Sequence, residues 1–518
     1  MGRQEQIIKQ RNKKLQELKK QGINPYPNKF NVKDYSEEIK NKYFKLKNNE
    51  KNSNIVRIAG RIMTKRDLGK LIFATLQDSQ GKIQIILQKG ETNPKSFDLF
   101  KKYIDSGDII GCEGNIMKTK TGEISVLVEK LELLSKSLLP LPEKFHGIQD
   151  KEERYRKRYL DLIMNPKVKD VFIKRQKTFD AIREFLKSKG FVEVQTPILQ
   201  PIYGGTNANP FESRLNALNM KIYMRISNEM YLKRLIGGGY EKVFEFSPDF
   251  RNEGIDRLHN PEFTQVETMW AYADYENNMK LWPDLVEFVV KKVHKKTKIK
   301  VGNNELEFKT PWKKIKFSEA VKIYAKIDIS KIKNLQEAKG AAKKLDIDVN
   351  KCSTIGNVML NIFEEVVQPK IIQPTLVYDY PKEAAILAKS GKDKDKVKSF
   401  EVIINGWEIA LSYCEENDPE ILKKKWKQQE SALKKGDTEA QKMDEDFLDM
   451  LRIGMPPTSG VGMGIDRLVM LLTNQQSIRD VILFPFMKPK KISKKIIHTK
   501  KKIKDQKTNL RKNKLNIK

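Results

Sequence analysis

Between residues 55 and 135 the chain reads as short alternating runs separated by turns, and this stretch limits the possible folds more than any other. The runs "IVRIAGRIMTKRD", "LIFATLQDSQGKIQIILQ" and "DIIGCEGNIMKTKTGEISVLVEKLELL" alternate apolar and polar residues at the period of a half-buried strand, and they break at SQGK and KTGE. Five such strands in about 80 residues predict a small barrel, because closure is how short strands dispose of their edges. Phe73 and Gln84 lie among basic residues here. A ring to stack on and an amide to sort base edges suit a reader of single-stranded nucleic acid. A purely structural barrel fits the same pattern.

The barrel length and strand count fit an OB-fold. Before it, residues 4–21 predict a polar helix with a thin stripe of Ile7, Ile8, Leu15 and Leu18, closed by "GINPYP". After it, "LPLPEKFHGIQD" is a proline-punctuated linker. "VFIKRQKTFDAIREFLKSKG" predicts an amphipathic helix ending at Gly190, and "FVEVQTPIL" a strand ending at Pro197. From there to about residue 486, strands and helices mix without a regular βα repeat. The expected parts are a helical extension (1–50), the barrel (51–137), a linker (138–170), a large α+β domain (171–487) and a basic tail (488–518).

With 518 residues, two or three domains are expected. No eighteen consecutive residues are apolar, so no membrane span is expected. The N-terminal segment holds no apolar signal core, which predicts a cytoplasmic location. Cys112, Cys352 and Cys414 are isolated and odd in number, which suits a reducing compartment and gives no structural zinc pattern. The formal net charge of +33 favours a polyanionic partner, although a Lys- and Ile-rich composition produces the same excess. The tail alone carries fourteen Lys or Arg against one Asp, and reads as a flexible arm able to contact RNA.

Three clusters carry the chemistry. "FRNEGIDRLHNPEFTQVE" (250–267) places Arg251, Glu253, His259, Phe263 and Glu267 beside the strand-like "YEKVFEFSPDF". "SFEVIINGWEIALSYCEEND" spaces Glu401, Glu408 and Glu415 seven apart. "GVGMGIDR" puts Asp466 and Arg467 after three glycines, which favour close backbone packing. Arginine forks suit phosphate, carboxylate pairs without His or Cys suit Mg²⁺, and an open ring suits a base. Each alone is ordinary. Together they describe a nucleotide site without a P-loop, since no GxxxxGK[ST] is present.

These words resemble a known family. "FRNEG…HNPEFTQVE", "GVGMGIDRLVMLL" and "FVEVQTPIL" resemble motifs 2, 3 and 1 of class II aminoacyl-tRNA synthetases. "GRIMTKRDLGK", "RYLDLI" and "SIRDVILFP" extend the likeness to bacterial-type lysyl-tRNA synthetases over roughly residues 1–487. The resemblance implies an antiparallel six-stranded sheet flanked by helices, and a homodimer built on motif 1. It implies ATP on Arg251, Glu253, His259, Phe263 and Arg467, with Arg251 on the α-phosphate and Phe263 and Arg467 on either side of adenine. It implies Mg²⁺ on Glu401 and Glu408, and L-lysine on Gly205, Glu229, Glu267, Tyr413 and Glu415. Phe73 and Gln84 would read the anticodon of lysine tRNA.

The chain departs from the family pattern at several positions. Met269 stands where tyrosine is usual, Leu411 where asparagine is usual, Trp407 where arginine is common and Asn209 where arginine is frequent. A further anticodon contact falls at Lys130 or Glu129. An aspartate- or asparagine-specific synthetase is the alternative, although three carboxylates around the amino acid would repel an acidic substrate.

Overall fold

The computed structural model describes residues 2–142, 150–434 and 441–490. The basic tail from residue 491 onward and part of the linker, 143–149, lie outside the described residues. The chain forms two compact units, residues 1–166 and 167–518.

In the first unit, β1 (Lys51–Asp67), β2 (Leu71–Gln77), β3 (Lys82–Gln88), β4 (Ile109–Lys118) and β5 (Ile124–Ser135) close a barrel in the order β1-β2-β3-β5-β4. β2 shows why. Its "LIFATLQ" turns Ile72, Ala74 and Leu76 inward, where they are buried, and leaves Phe73, Thr75 and Gln77 on the outer face. Ile58, Ile62, Ile83 and Ile85 complete the apolar filling from the neighbouring strands, each contributing about 1.5–3 kcal/mol of transfer free energy. The helix α1 (Arg3–Lys20) buries Leu15 and Leu18 with Arg11, a stripe at i, i+4 and i+7. Arg11 earns its burial by donating to the carbonyls of Ser106, Ser137 and Leu139.

The second unit is built on an eight-stranded sheet. Its order is Lys313–Lys316, Thr375–Tyr378, Ser399–Ile404, Trp407–Cys414, Thr458–Gly464, Glu262–Ala271, Lys242–Phe250 and Val192–Glu193. The six inner strands are antiparallel throughout. Each edge strand adds a parallel pair, so the sheet is wider than the six strands implied by the resemblance. The long helix Pro166–Ser188 buries Ala181, Ile182, Phe185 and Leu186 against one face, together with the helices Tyr275–His294 and Ile465–Thr473. The helix Glu229–Gly237 and its neighbours cover part of the other face.

One expected strand is much shorter than the sequence suggests. "FVEVQTPIL" pairs only at Val192 and Glu193, and Val194 adds a single further bond to the Phe244 carbonyl. The ladder stops before Pro197 is reached, and Leu199–Gln200 joins a separate three-stranded sheet instead.

Candidate active site

The polar run 250–267 is a strand, a loop and a strand. Lys242–Phe250 pairs antiparallel with Glu262–Ala271, and the Arg251 N–H donates to the Pro261 carbonyl at 2.9 Å to close the loop. On the second strand, Phe263, Gln265, Glu267 and Met269 point to one face at the two-residue period, while Val266 enters the core on the other. The next strand explains "GVGMG". Gly464, Gly462 and Gly460 pair with Gln265, Glu267 and Met269, so all three glycines fall on the same face and leave it bare. Val461 and Met463 fill the core behind. The bare strip is the floor of a cavity of about 320 Å³.

One end of the cavity is lined by Arg251, Glu253, His259, Phe263, Glu408 and Arg467. The Arg251 guanidinium lies 5.0 Å from the centroid of the Phe263 ring, and its Nε donates to the Ile226 carbonyl at 3.3 Å. Arg467 Nη1 donates to the Glu408 carbonyl at 2.8 Å and its carboxylate at 3.2 Å, and Nη2 lies 3.1 Å from His259 Nε2. His259 Nδ1 is 2.7 Å from Asp256. Glu253 accepts from the Asn209 N–H at 3.3 Å. Asp466 has no free oxygen: Arg175 of the helix Pro166–Ser188 pairs with Oδ1 and the Thr264 N–H donates to Oδ2 at 2.7 Å. Asp466 therefore fixes the helix that carries Arg467 against the strand that carries Phe263.

The other end is a wall of carboxylates. Gly205, Glu229, Glu267, Tyr413 and Glu415 all line it, with Met269 and Leu411 beside them. Glu267 Oε1 accepts from Ser227 Oγ at 3.1 Å and Gln265 Nε2 at 2.8 Å, while its buried Oε2 has no hydrogen-bond partner. Glu415 pairs with Lys233 through Oε2, and its carboxylate also takes a hydrogen bond from the Gly460 N–H. Gly205 adopts φ +98°, and a Cβ there would approach Ser227 Oγ to 2.8 Å. Burial pushes the Glu267 carboxyl well above the usual carboxylate range, and the charges of Asp249 and Glu229 add to the shift. Burial also raises Glu415, to about 8. Such acids call for a cation.

Glu401 does not line the cavity. Its Oε2 accepts from the Tyr380 hydroxyl at 2.9 Å, and burial, then the charge of Glu408, push its pKa well up. Among the described residues, no group of three acidic, His or Cys side chains is placed to hold a metal ion by protein ligands alone. Glu401, held up in part by the charge of Glu408, still fits with it a cation whose remaining ligands come from water or phosphate. In the barrel, Phe73 and Gln84 share the outer face. Phe73 pairs with Arg66 and Ile86, while Gln84 pairs with Thr75 and accepts from Ser125 Oγ at 2.9 Å. Lys130 and Glu129 are both exposed, and Lys130 pairs with Glu113 of β4.

The sequence reading missed Lys233. Its ammonium pairs with both Glu229 and Glu415 from behind the wall. The i, i+4 spacing from Glu229 is visible in the sequence, but nothing local announces Glu415 as the second partner. The buried pair Arg225–Glu245, 2.7 Å apart beside Glu267 on the neighbouring strand, was missed for the same reason.

Comparison with known proteins decides the family. Residues 150–488 match "tRNA synthetases class II (D, K and N)", and residues 56–134 match "OB-fold nucleic acid binding domain". The chain belongs to the class II tRNA synthetases. Relatives named "Lysine--tRNA ligase" include one from Pelotomaculum thermopropionicum, 46% identical over 94% of this chain and 97% of the relative. Another from Clostridium novyi is 46% identical over 94% and 95%, and one from Thermoanaerobacter pseudethanolicus is 47% identical over 94% and 96%. As a class II synthetase, the chain carries its OB-fold and its catalytic sheet in the order the sequence suggests. No helix among the described residues is long and apolar enough to cross a membrane.

Proposed function

We propose that this chain is a lysine–tRNA ligase, which activates L-lysine with ATP and transfers it to lysine tRNA. The carboxylate wall carries the assignment. Glu267, with one buried oxygen lacking a partner, and Glu415 line the same apolar-backed pocket, in a chain that matches curated lysine–tRNA ligases over nearly its whole length. An aspartate or asparagine substrate would bring no second cation to that wall, and aspartate would bring a third charge of the same sign.

The reaction needs no protein nucleophile. A carboxylate oxygen of lysine attacks the α-phosphorus of ATP in line, the new C–O–P linkage forms, and pyrophosphate leaves. A terminal ribose hydroxyl of the tRNA then attacks the adenylate carbonyl, and AMP leaves with the ester formed. Catalysis is positioning plus charge stabilisation. Arg251 holds the α-phosphate and spreads the charge that grows there. Phe263 supports the adenine and Arg467 closes over it, with His259 and Glu253 completing the nucleotide end. Glu401 and Glu408 would hold Mg²⁺, which neutralises phosphate charge when bound. Gly205 leaves room for the amino acid backbone, and Glu229, Glu267, Tyr413 and Glu415 receive its two ammonium groups.

Phe73 and Gln84 of the barrel read the anticodon by stacking and amide contacts. The helix Pro166–Ser188 and the strand after it form the contact between two copies in a homodimer, and the enzyme works in the cytoplasm. Amino-acid-dependent ATP–pyrophosphate exchange across the twenty amino acids and ornithine tests the assignment. Exchange with lysine alone is expected. Exchange with aspartate or asparagine would overturn the substrate, and none at all would overturn the activity.

A further inference from the structure

Behind the carboxylate wall lies a charged side chain that the proposed reaction does not touch. Lys233 is one turn beyond Glu229 on the helix Glu229–Gly237. It is among the largest fully buried side chains of the chain, and it does not line the cavity. Its ammonium pairs with Glu229 Oε1 and Glu415 Oε2, and sits 5.7 Å from the centroid of the Tyr413 ring.

Burying an ammonium costs several kcal/mol of lost hydration, which only well-placed counter-charges offset. Burial lowers the proton affinity of Lys233, but Glu229 and Glu415 outweigh it, so the group stays charged. The groups that face it are Glu229 on its own helix, Tyr413 and Glu415 from the sheet, and Lys425 on the helix Pro419–Lys434.

A charge count follows. The wall holds Glu229, Glu267 and Glu415, and Lys233 cancels one of the three. When a bound cation draws Glu267 and Glu415 into their carboxylate forms, two negative charges remain on the wall that lines the cavity. An amino acid with an α-ammonium and a side-chain ammonium cancels both. Without Lys233, Glu229 and Glu415 would face each other with no cation between them. Glu415, already raised by burial to about 8, would rise further, and a protonated carboxyl is a poorer ammonium acceptor.

We propose that Lys233 is a positioning residue for the substrate: it holds Glu229 and Glu415 in place from outside the pocket and sets the wall at a charge that two ammonium groups match. This rests on the lysine reading above. It also explains how a wall of three carboxylates folds before any substrate arrives.

The test is lysine-dependent ATP–pyrophosphate exchange with the full chain from pH 6 to 9, for the wild type, Lys233→Met and Lys233→Arg, with thermal midpoints as a check on folding. Lys233→Met should raise the KM for lysine by about tenfold or more, with kcat at saturating lysine within about threefold. The pH at which that KM stops falling should move up by about one unit. Lys233→Arg, which keeps the charge, should stay within about threefold of the wild type in KM. A folded Lys233→Met with the wild-type KM at every pH overturns the inference. Where Lys233→Met does not fold, Lys233→Gln serves in its place, and an unchanged KM there overturns it equally. A wild-type enzyme that ignores lysine would instead overturn the substrate assignment on which the inference stands, and the two failures are read from different samples.

Discussion

The Tyr413 hydroxyl donates to Glu229 Oε2 at 2.6 Å, tying the end of a sheet strand to the first turn of a helix 184 residues earlier in the chain. The bond is buried, and burial followed by the charges of Glu229 and Glu415 raises the Tyr413 phenol well above its ordinary range, so it remains a donor. Tyr413→Phe deletes the donor and leaves a buried carboxylate oxygen exposed to the pocket. A loss of about 1–3 kcal/mol is expected, read as a rise of roughly fivefold or more in the KM for lysine. The KM for ATP should not move. Equal effects on both substrates would assign Tyr413 to the fold instead of the amino acid pocket.

Among the described residues the Arg251 side chain makes one hydrogen bond, at 3.3 Å, and otherwise lies over Phe263. Arg251→Ala should therefore leave the thermal midpoint almost unchanged while lowering adenylate formation by roughly a thousandfold. Wild-type exchange in this variant would remove Arg251 from the phosphate site.

The pH dependence follows from Glu415, raised by burial from an ordinary 4.5 to about 8 despite the pull of Lys233. A raised carboxyl binds more protons in the folded state. The unliganded protein should lose stability as pH rises from about 5 to 8, and Glu267 acts in the same direction. A bound ammonium favours the carboxylate, so the thermal shift given by saturating lysine should grow across the same window. Melting curves at pH 6 and pH 8, with and without lysine, check this, and an equal shift at both values contradicts it.

Phe73 stands on the outer face of the barrel between Arg66 and Ile86. Phe73→Ala should cost about 1–3 kcal/mol of stacking, seen as a roughly fivefold or larger rise in the KM for tRNA. Lysine exchange without tRNA should be unaffected. If tRNA kinetics are unchanged, the anticodon lies elsewhere on the barrel.

The sequence made some of this legible and hid the rest, for physical reasons. β2 could be read because its burial alternates at a period of two with no interruption. The three glycines of "GVGMG" could be read as close packing, but their common face emerges only from the pairing of Gly460 with Met269 and Gly462 with Glu267. Lys233 looks like an ordinary surface cation one turn from Glu229. Its burial depends on Glu415, which is brought in by a strand far along the chain. Asp466 was grouped with Arg467 as a functional pair, whereas both its oxygens are committed to Arg175 and Thr264. The strand at Val192 is shorter than its apolar alternation suggests, because the pairing stops at Glu193, before Pro197 is reached. In each case the missing information is a partner distant in the chain.

Met269 and Tyr413 both pair with Gly460, so the three form one row across adjacent strands. A Cβ at Gly460 would lie 2.6 Å from both Met269 Sδ and Glu415 Oε1. The middle of the row thus has a single residue open to it, while its two flanks can exchange side chains. Tyr413 brings a hydroxyl to the amino acid end from one flank of a row whose middle must stay a glycine unless Met269 and Glu415 shift aside.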